Sequence, residues 1–344
     1  MLSVIICCYN SASRLPATLQ HLQAQGGMEG KTWEVIVVDN ASKDNTSTVA
    51  QNCWQTKPVA PLILVHEPVA GLANARKKGL ATAQYDLICF VDDDNLLAAN
   101  YLSKVIDIMQ TYPNVAACGG EGIAAFAPET VVPTWFPRFS NGYAVGKQAP
   151  EAKVLTGEKE FLYGAGMAIR KKIWEEIENM GFESMLLGRT ADKITSGEDL
   201  EMGYLFRLMG YDLYYTPELS FQHLIPANRL TWDYVKKLKK GFGSSAVYHG
   251  FYKNLLTPHS FRTTIRKVWW LEFLLVVAVF CAKFILFFPF SVIDQEGNWR
   301  SASWQHSWGR VVTLWQLRYH YHQIQEKVSI LAKKLQKNST PTRV

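Results

Sequence analysis

Residues 87–95 read LICFVDDDN, five apolar residues followed by three aspartates and an asparagine. An unbroken apolar run of this length is typical of a strand buried on both faces of a parallel α/β sheet. Asp92, Asp93 and Asp94 then stand at the carboxyl end of the strand, where sheets of this class bind their ligands. The pattern predicts either a cation site at this edge or an acidic turn that caps the next helix.

Asp92 and Asp94 lie two positions apart, so both can turn toward one divalent ion while Asp93 points elsewhere. Carboxylate oxygens suit Mg²⁺ or Mn²⁺, and an ion held by few protein ligands keeps positions for substrate phosphates. We therefore expect Asp92 and Asp94 to hold Mg²⁺ or Mn²⁺. His223, at the far end of a strand-like run, is a candidate third contact to metal or phosphate, with a structural histidine as the alternative.

Short apolar runs alternate with helix-like stretches on either side of this strand. The rhythm predicts βαβ units with right-handed crossovers, and so an α/β fold with a mostly parallel sheet. The predicted strands cover residues 2–7, 33–38, 62–66, 87–91, 115–123, 162–169 and 213–221, and the predicted helices cover residues 14–25, 46–55, 73–83, 101–111, 171–180 and 199–209. Residues 125–153 contain four prolines and little periodicity, so we expect a loop that walls or covers the site.

Polar residues also follow the first two predicted strands. Tyr9 and Asn10 come after strand one and Asp39 comes at the end of strand two, so we expect them at the same sheet edge as the aspartates. Arg76 lies near the start of a helix and Arg229 follows the last strand. A guanidinium group matches phosphate oxygens, so each arginine is a candidate diphosphate contact, with a surface ion pair as the alternative.

Glu198 and Asp199 open the predicted helix 199–209. A carboxylate at a helix N-terminus is stabilised as the anion by exposed amide groups and by the helix dipole. Asp199 is therefore a candidate general base for an acceptor hydroxyl if it faces the metal site, and helix capping is the alternative. Gly164 lies in a strand-like setting where a missing side chain admits a ligand or another backbone, or lets two sheets pack.

Charge is divided unevenly along the 344 residues. Up to Asn228 the chain carries 18 Lys and Arg against 25 Asp and Glu, whereas from Arg229 onward it carries 18 against 5 and seven of the eleven Trp. A basic part that is rich in Trp favours an anionic surface, either a membrane or nucleic acid. The apolar segment 269–293 favours lipid, so we expect a membrane partner and no nucleic acid.

The segment 269–293 is long enough to cross a bilayer, but Glu272, Lys283 and Pro289 interrupt it. A span, an interfacial helix and a core helix all remain open at this point. The six cysteines show no paired framework and are interpreted as reduced core residues of a cytosolic compartment. With no secretory signal before the first strand, we expect the cytoplasmic face of the inner (plasma) membrane.

Taken together, these motifs resemble the family 2 glycosyltransferases, which have the GT-A fold. The resemblance covers about residues 2–230 and rests on the ordered elements SVIICCYN (3–10), VVDNAS (37–42), GLANAR (71–76), FVDDD (90–94), GAG (164–166) and GED (197–199) with Arg207. It implies a Rossmann-like GT-A domain at residues 1–230, and it leaves residues 231–344 as a basic, aromatic-rich helical region associated with the membrane.

The resemblance also implies roles for the site residues. In this family an aspartate after the second strand contacts the nucleotide, an Asp-x-Asp pair holds metal and diphosphate, and the Asp of a Glu-Asp pair is the base. These roles fall to Asp39, to Asp92 and Asp94, and to Asp199. The expected nucleotide-sugar contacts are Tyr9, Asn10, Asp39, Arg76, Asp92, Asp93, Gly164, Glu198 and Arg229. The family often has two acids where this chain has Asp39 and Asn40, which leaves the nucleotide base open.

The reaction that the resemblance implies is an inverting transfer of a sugar from a nucleotide diphosphate to a hydroxyl acceptor. The expected acceptor is a glycan, in particular a lipid-linked glycan in bacterial cell-surface polysaccharide synthesis. The sequence Gln-x-x-Arg-Trp of processive synthases is absent, which favours single additions. Two alternatives are a sugar nucleotidyltransferase and a non-catalytic, membrane-associated protein that binds nucleotide sugars, and the oligomeric state stays open.

Overall fold

A computed structural model of the chain describes residues 1–157, 160–186, 197–291 and 296–338. The strands are β1 (Leu2–Cys8), β2 (Trp33–Asn40), β3 (Leu62–Glu67), β4 (Leu87–Asp92), β5 (Asn95–Leu97), β6 (Val115–Gly119), β7 (Gly122–Ala125), β8 (Lys153–Val154), β9 (Ala168–Arg170), β10 (Asp212–Tyr215) and β11 (Phe221–Leu224). The helices are α1 (Leu15–Gln23), α2 (Thr46–Gln55), α3 (Leu72–Thr82), α4 (Tyr101–Thr111), α5 (Phe136–Phe139), α6 (Lys171–Asn179), α7 (Glu198–Leu208), α8 (Trp232–Leu256), α9 (Phe261–Arg266), α10 (Trp269–Ser291), α11 (Trp299–Gln316) and α12 (Tyr321–Asn338), with 3-10 turns at Ser140–Tyr143 and Ala227–Arg229.

An eight-stranded sheet in the order β3-β2-β1-β4-β9-β6-β10-β8 forms the centre of the N-terminal part. The strands β1, β2, β3 and β4 are parallel to one another, and β9 runs antiparallel between β4 and β6. Val4, Val37 and Ile88 in the inner strands have no solvent exposure. Burial on both faces explains why these strands are unbroken apolar runs, as the sequence predicts.

A second sheet, in the order β5-β11-β7, continues the first one. The chain crosses from the large sheet to the small one between β4 and β5, between β6 and β7, and between β10 and β11. At the second crossing Gly120 packs directly on the Leu219 carbonyl, which leaves no room for a side chain. At the third, Pro217 has no amide to donate to a ladder. The predicted strand 115–123 is therefore wrong in extent, and the strand-like run 213–221, which Pro217 is expected to break, likewise divides between the two sheets.

The predicted strand 162–169 is also wrong in extent, because regular pairing begins only at Ala168. Gly166 has a φ of +72°, a left-handed conformation that interrupts an extended chain. The Tyr101 hydroxyl donates to the Gly166 carbonyl at 2.7 Å and fixes this turn. The predicted loop 125–153 contains α5 and packs through its aromatic rings against Trp232, so it forms a packed wall.

Helix α8 lies between the sheet domain and the remaining C-terminal helices. Gly243 of α8 faces the His306 carbonyl, and Gly309 of α11 faces the Lys240 carbonyl, so the two backbones touch. The glycines of this segment therefore serve helix packing. Helix α8 also packs on α7, so the regions before and after residue 230 share one core although their compositions differ. The domain boundary at residue 230 stays a prediction.

Helix α10 carries the apolar segment, and its two charged residues contact α11. Glu272 accepts from Arg310 at 2.7 Å, and Lys283 donates to the hydroxyls of Ser303 and Ser307 at 2.9 Å each. Within the described ranges one stretch, Trp269–Leu286, is long and apolar enough to cross a bilayer, with a mean hydropathy of 2.1. Residues 292–293 of the predicted segment lie outside the described residues.

Candidate active site

A cleft of about 330 Å³ opens at the carboxyl ends of β1, β2 and β4. Ten of the residues predicted from the sequence line it: Tyr9, Arg76, Asp92, Asp93, Asp94, Gly164, Glu198, Asp199, His223 and Arg229. We call the part formed by Asp92, Asp93 and Asp94 the triplet end, and the part formed by Glu198 and Asp199 the helix end. The carboxyl ends of parallel strands thus gather residues that lie more than a hundred positions apart.

The triplet end lies where the chain leaves β4 and enters β5. Strand β5 pairs antiparallel with β11 so that Asn95 faces His223, and this register brings His223 beside Asp94. The Asp94 Oδ2 atom lies 3.5 Å from His223 Nε2 and 3.3 Å from Arg229 Nη1. Burial alone would raise the pKa of Asp94, but its interactions with His223, Arg229 and Arg14 lower that pKa to about 2. Asp94 is therefore ionised at any physiological pH.

The donor set at this end fits a divalent ion. His223 Nδ1 lies 2.6 Å from the Tyr143 carbonyl, which can only accept, so Nδ1 carries the proton. Its Nε2 atom is buried beside Asp94 and has no well-formed hydrogen bond among the described residues, so it is available to a ligand at this end. The described residues contain no group of three His, Cys, Asp or Glu side chains already gathered around one metal position. The set Asp92, Asp94 and His223 stays a prediction, with substrate oxygens as the missing ligands.

Asp93 forms an ion pair with Arg14. Its carboxylate accepts from the Ser11 hydroxyl and from Arg14 Nη2, the latter at 2.6 Å. Burial and the charge of Asp94 raise the pKa of Asp93, and Arg14 opposes that rise. Arg14 also lines the cleft and adds a cation that our sequence reasoning missed. No motif spacing pointed to Arg14, because only the fold places the β1–α1 loop beside the aspartates.

The helix end has the opposite electrostatic character. Asp199 accepts from the Gly164 amide through Oδ2 and from the Leu200 amide through Oδ1, both at 2.9 Å. Even so, burial and the neighbouring charge of Glu198 raise the pKa of Asp199 to about 6, against the opposing effect of Arg76. Desolvation thus outweighs the amide groups at the helix N-terminus in setting this pKa, and Asp199 is still mostly ionised at neutral pH, as expected of a base.

Arg76 forms an ion pair with the helix end. It is buried, its Nη1 atom lies 3.6 Å from Glu198 Oε1, and its guanidinium group lies over the Phe90 ring. The second carboxylate oxygen of Glu198 is buried with no hydrogen-bond partner in the described part of the chain. A Cβ at Gly164 would lie 2.9 Å from Arg76 and 3.1 Å from the Asp199 side chain, so glycine is needed between them.

Two predicted contacts lie outside the cleft lining and organise its loops. Asp39 accepts from the Ser47 hydroxyl at 2.6 Å, and Asn10, at a φ of +49°, accepts from the Lys43 amide at 2.8 Å. Asn40, which does line the cleft, donates to the carbonyls of the β3–α3 loop. The roles of Asp39 and Asn10 toward a nucleotide stay predictions. Asn40 is a lining residue that the sequence reasoning did not assign.

Arg207 lies away from the cleft although it is on the same helix as Asp199. Its guanidinium group donates to the carbonyls of Leu155, Gly157 and Glu160, at 2.8 to 3.2 Å. These bonds tie α7 to the β8 region, which is a structural role.

The architecture is a GT-A-like α/β fold followed by a helical region with one apolar helix, as predicted. Across 97% of this chain and 86% of the other, the structure resembles mannosyltransferase PcManGT from Pyrobaculum calidifontis, solved with GDP-Man and Mn²⁺, with a TM-score of 0.52 and 18% identity. Residues 3–178, about half of the chain, match the family described as Glycosyl transferase family 2. The chain belongs to this family.

Two curated relatives show how far the similarity extends. An uncharacterized glycosyltransferase of Haemophilus influenzae is 32% identical over 115 residues, which are 33% of this chain and 36% of that protein. The succinoglycan biosynthesis protein ExoM of Rhizobium meliloti is 23% identical over 241 residues, 69% of this chain and 71% of that protein. The first match thus spans about a third of the relative's length, whereas the second includes the helix end as well.

Proposed function

We propose that the protein is an inverting glycosyltransferase that moves a sugar from a nucleotide-diphosphate donor to a hydroxyl acceptor, a lipid-linked glycan in cell-surface polysaccharide synthesis. The observation that carries this proposal is the pairing of Asp199 with the triplet end in one cleft. Such a transfer needs a base and a site for phosphates. Asp199, with a pKa of about 6, is suited to the first role, and Arg14 and Arg229 at the triplet end are suited to the second. Similarity to a succinoglycan biosynthesis protein supports the polysaccharide context.

In the proposed reaction Asp199 removes the proton from the acceptor hydroxyl as its oxygen bonds to the anomeric carbon. The bond from that carbon to the diphosphate oxygen breaks, and the nucleoside diphosphate leaves with the electron pair. Direct displacement inverts the anomeric carbon, so no enzyme nucleophile is required. The Gly164 and Leu200 amides hold the two oxygens of Asp199, which fixes the direction in which it accepts the proton.

The triplet end is proposed to hold the diphosphate. Arg14 and Arg229 line the cleft at this end and are suited to pair with its phosphate oxygens. Asp92 and Asp94 would hold Mg²⁺ or Mn²⁺, which when bound supplies Lewis-acid stabilisation of the diphosphate charge. Asp93 orients Arg14 in this arrangement, and His223 stays fixed by the Tyr143 carbonyl.

A donor screen tests the proposal. The thermal midpoint is measured with UDP, GDP and dTDP, each with and without Mn²⁺, and one nucleotide is expected to stabilise the protein more strongly when Mn²⁺ is present. Labelled sugar from that nucleotide is then offered with lipid-linked glycan acceptors. Nucleotide binding without transfer to any acceptor would favour the non-catalytic alternative. Formation of a nucleotide sugar from a sugar phosphate and a nucleoside triphosphate would favour the nucleotidyltransferase.

We also propose that the enzyme works on the cytoplasmic face of the plasma membrane, with α10 lying in the bilayer interface. Its charged side chains contact α11, and its exposed surface includes Trp270, Ile285 and Leu286 at 54%, 73% and 67% exposure. Arg318, stacked on Trp315 and Tyr319, adds a cation beside exposed aromatic rings. Apolar burial with flanking cations supports attachment to an anionic surface.

Vesicle flotation tests the membrane proposal. The protein is expected to float with vesicles of phosphatidylethanolamine and phosphatidylglycerol, and the double variant Ile285→Glu, Leu286→Glu is expected to stay at the bottom. Val131→Glu is a matched control, because Val131 is also an exposed apolar residue but lies in the loop before α5. Equal flotation of the double variant and the wild type would overturn the assignment of this face.

A further inference from the structure

We propose that His249 is a positioning residue, which reaches from the C-terminal helical region to fix α7 and, with it, Asp199. The proposal rests on the glycosyltransferase function proposed above. His249 lies on α8, within the region after residue 230, and its Nε2 atom is 2.9 Å from the Gly197 carbonyl oxygen. Gly197 immediately precedes α7, so this contact lies two residues from Asp199 along the chain.

The direction and charge of this hydrogen bond are fixed. A carbonyl oxygen only accepts, so His249 Nε2 carries the proton and donates it. Burial lowers the pKa of His249 to about 4, the nearby charge of Lys253 adds to the fall, and the Gly197 bond opposes it. The imidazole is therefore neutral at physiological pH. It holds the carbonyl without adding a positive charge beside Asp199.

The His249 ring also fills the space that a side chain at position 197 would need. Gly197 has a φ of +120°, and a Cβ there would lie 2.6 Å from His249 Cε1 and 2.8 Å from Nε2. The ring of Tyr204, about two turns along α7, packs on the same imidazole with centroids 5.6 Å apart. The backbone turn that starts α7 thus packs directly against His249.

A second contact from α8 fixes the rotation of α7 about its axis. The Tyr252 hydroxyl donates to Glu201 Oε1 at 2.7 Å, and Glu201 is buried. His249 and Tyr252 are three apart on α8, while Gly197 and Glu201 are four apart at the start of α7, so each pair occupies one helix face. Two contacts on one face define both the position and the rotation of the helix that presents Asp199.

Helix α8 is itself held in place on its other side. Gly243 and Gly309 allow α8 and α11 to touch backbone to backbone, which prevents α8 from sliding without a clash. Positioning of Asp199 therefore depends on the C-terminal helices, although these lie outside the part that matches the family. A displacement of the reacting groups by about 1 Å lowers the rate about 10²-fold, so a loose α7 has a measurable consequence.

The test compares His249→Phe, which keeps a ring but removes the donor, with His249→Gln, which restores a donor. His21→Phe is the matched control, because His21 also bonds a backbone carbonyl, that of Leu97, but lies on α1. We expect His249→Phe to lower kcat about tenfold or more with little change in donor KM. We also expect His249→Phe to shift the midpoint of the kcat–pH profile, which reports the ionisation of Asp199. His249→Gln should recover part of the lost kcat and reverse part of the midpoint shift.

Hydrogen exchange of the amides at 198–203 gives a readout that needs no turnover. Faster exchange there in His249→Phe, together with the kcat loss and the shifted midpoint, supports the proposal. Unchanged exchange, or faster exchange with wild-type kcat and pH profile, overturns it. If His249→Phe does not fold, Tyr252→Phe replaces it with the same expectations. An inactive wild type would count against the proposed function, and exchange alone would then decide whether His249 holds α7.

Discussion

The two ends of the cleft use the same residue type in opposite electrostatic states. Asp94 lies among His223, Arg229 and Arg14, and its pKa falls to about 2. Asp199 lies beside Glu198 in a partly buried position, and its pKa rises to about 6. Environment alone therefore separates a permanent anion from a group that exchanges a proton near neutral pH. The difference supports the proposed charge binding at the first end and the proposed proton transfer at the second.

Removing the carboxylate at the helix end should have the largest effect. We expect Asp199→Asn to lower kcat by about 10²- to 10⁴-fold, the usual contribution of a general base, with little change in nucleotide affinity. Because the pKa of Asp199 is raised in the folded state, wild-type stability should fall as the pH rises from about 4 to about 6, and Asp199→Asn should lack this fall. Transfer assays and thermal unfolding measure the two effects.

Asp107→Asn is the matched control for this substitution, because Asp107 is an exposed acid on α4. It should leave turnover and the thermal midpoint near the wild-type values. Full activity in Asp199→Asn would remove the base assignment, and an unchanged pH dependence of its thermal midpoint would contradict the electrostatic account of the helix end.

Filling the gap at Gly164 should disturb the helix end nearly as much. A Cβ at this position would lie 2.9 Å from Arg76 and 3.1 Å from Asp199, so Gly164→Ala must displace one of them. We expect kcat to fall by about 10²-fold, as for a base displaced by about 1 Å. Gly26→Ala is the control, since its nearest neighbour would be at 3.7 Å. Equal kinetics for both variants would mean that the Gly164 contact is unimportant for catalysis.

Neutralising the triplet end should instead affect binding. Asp94→Asn removes the charge that faces Arg229 and His223 and that is expected to hold the metal. We expect nucleotide affinity in the presence of Mn²⁺ to fall about tenfold to a hundredfold, from the about 1.5–3 kcal/mol of a charged hydrogen bond. Calorimetric titration with and without Mn²⁺ measures this loss. If Asp94→Asn and Asp199→Asn bound the nucleotide equally well, the two ends would not differ in their contribution to nucleotide binding.

The sequence predicts the positions of most site residues but little of their environment. Strand ends place Tyr9 and Asp92 at one edge, because apolar runs and their terminating residues are local signals. Arg14 beside Asp93 and His249 beside Gly197 depend on which loops and helices pack together, and no single segment encodes that. The raised pKa of Asp199 could not be predicted for the same reason, since burial is a property of the assembled fold.

The smallest expected effect is a pH dependence that belongs to the helix end alone. Because the base acts when ionised and its pKa is about 6, kcat/KM should fall about tenfold per unit below pH 6 and level off above it. Asp94 stays ionised down to about pH 2, so nucleotide affinity measured without the acceptor should not follow the same curve. Rate and affinity profiles collected between pH 5 and pH 8 test this separation. Parallel losses of both quantities near pH 6 would place the titrating group at the triplet end instead.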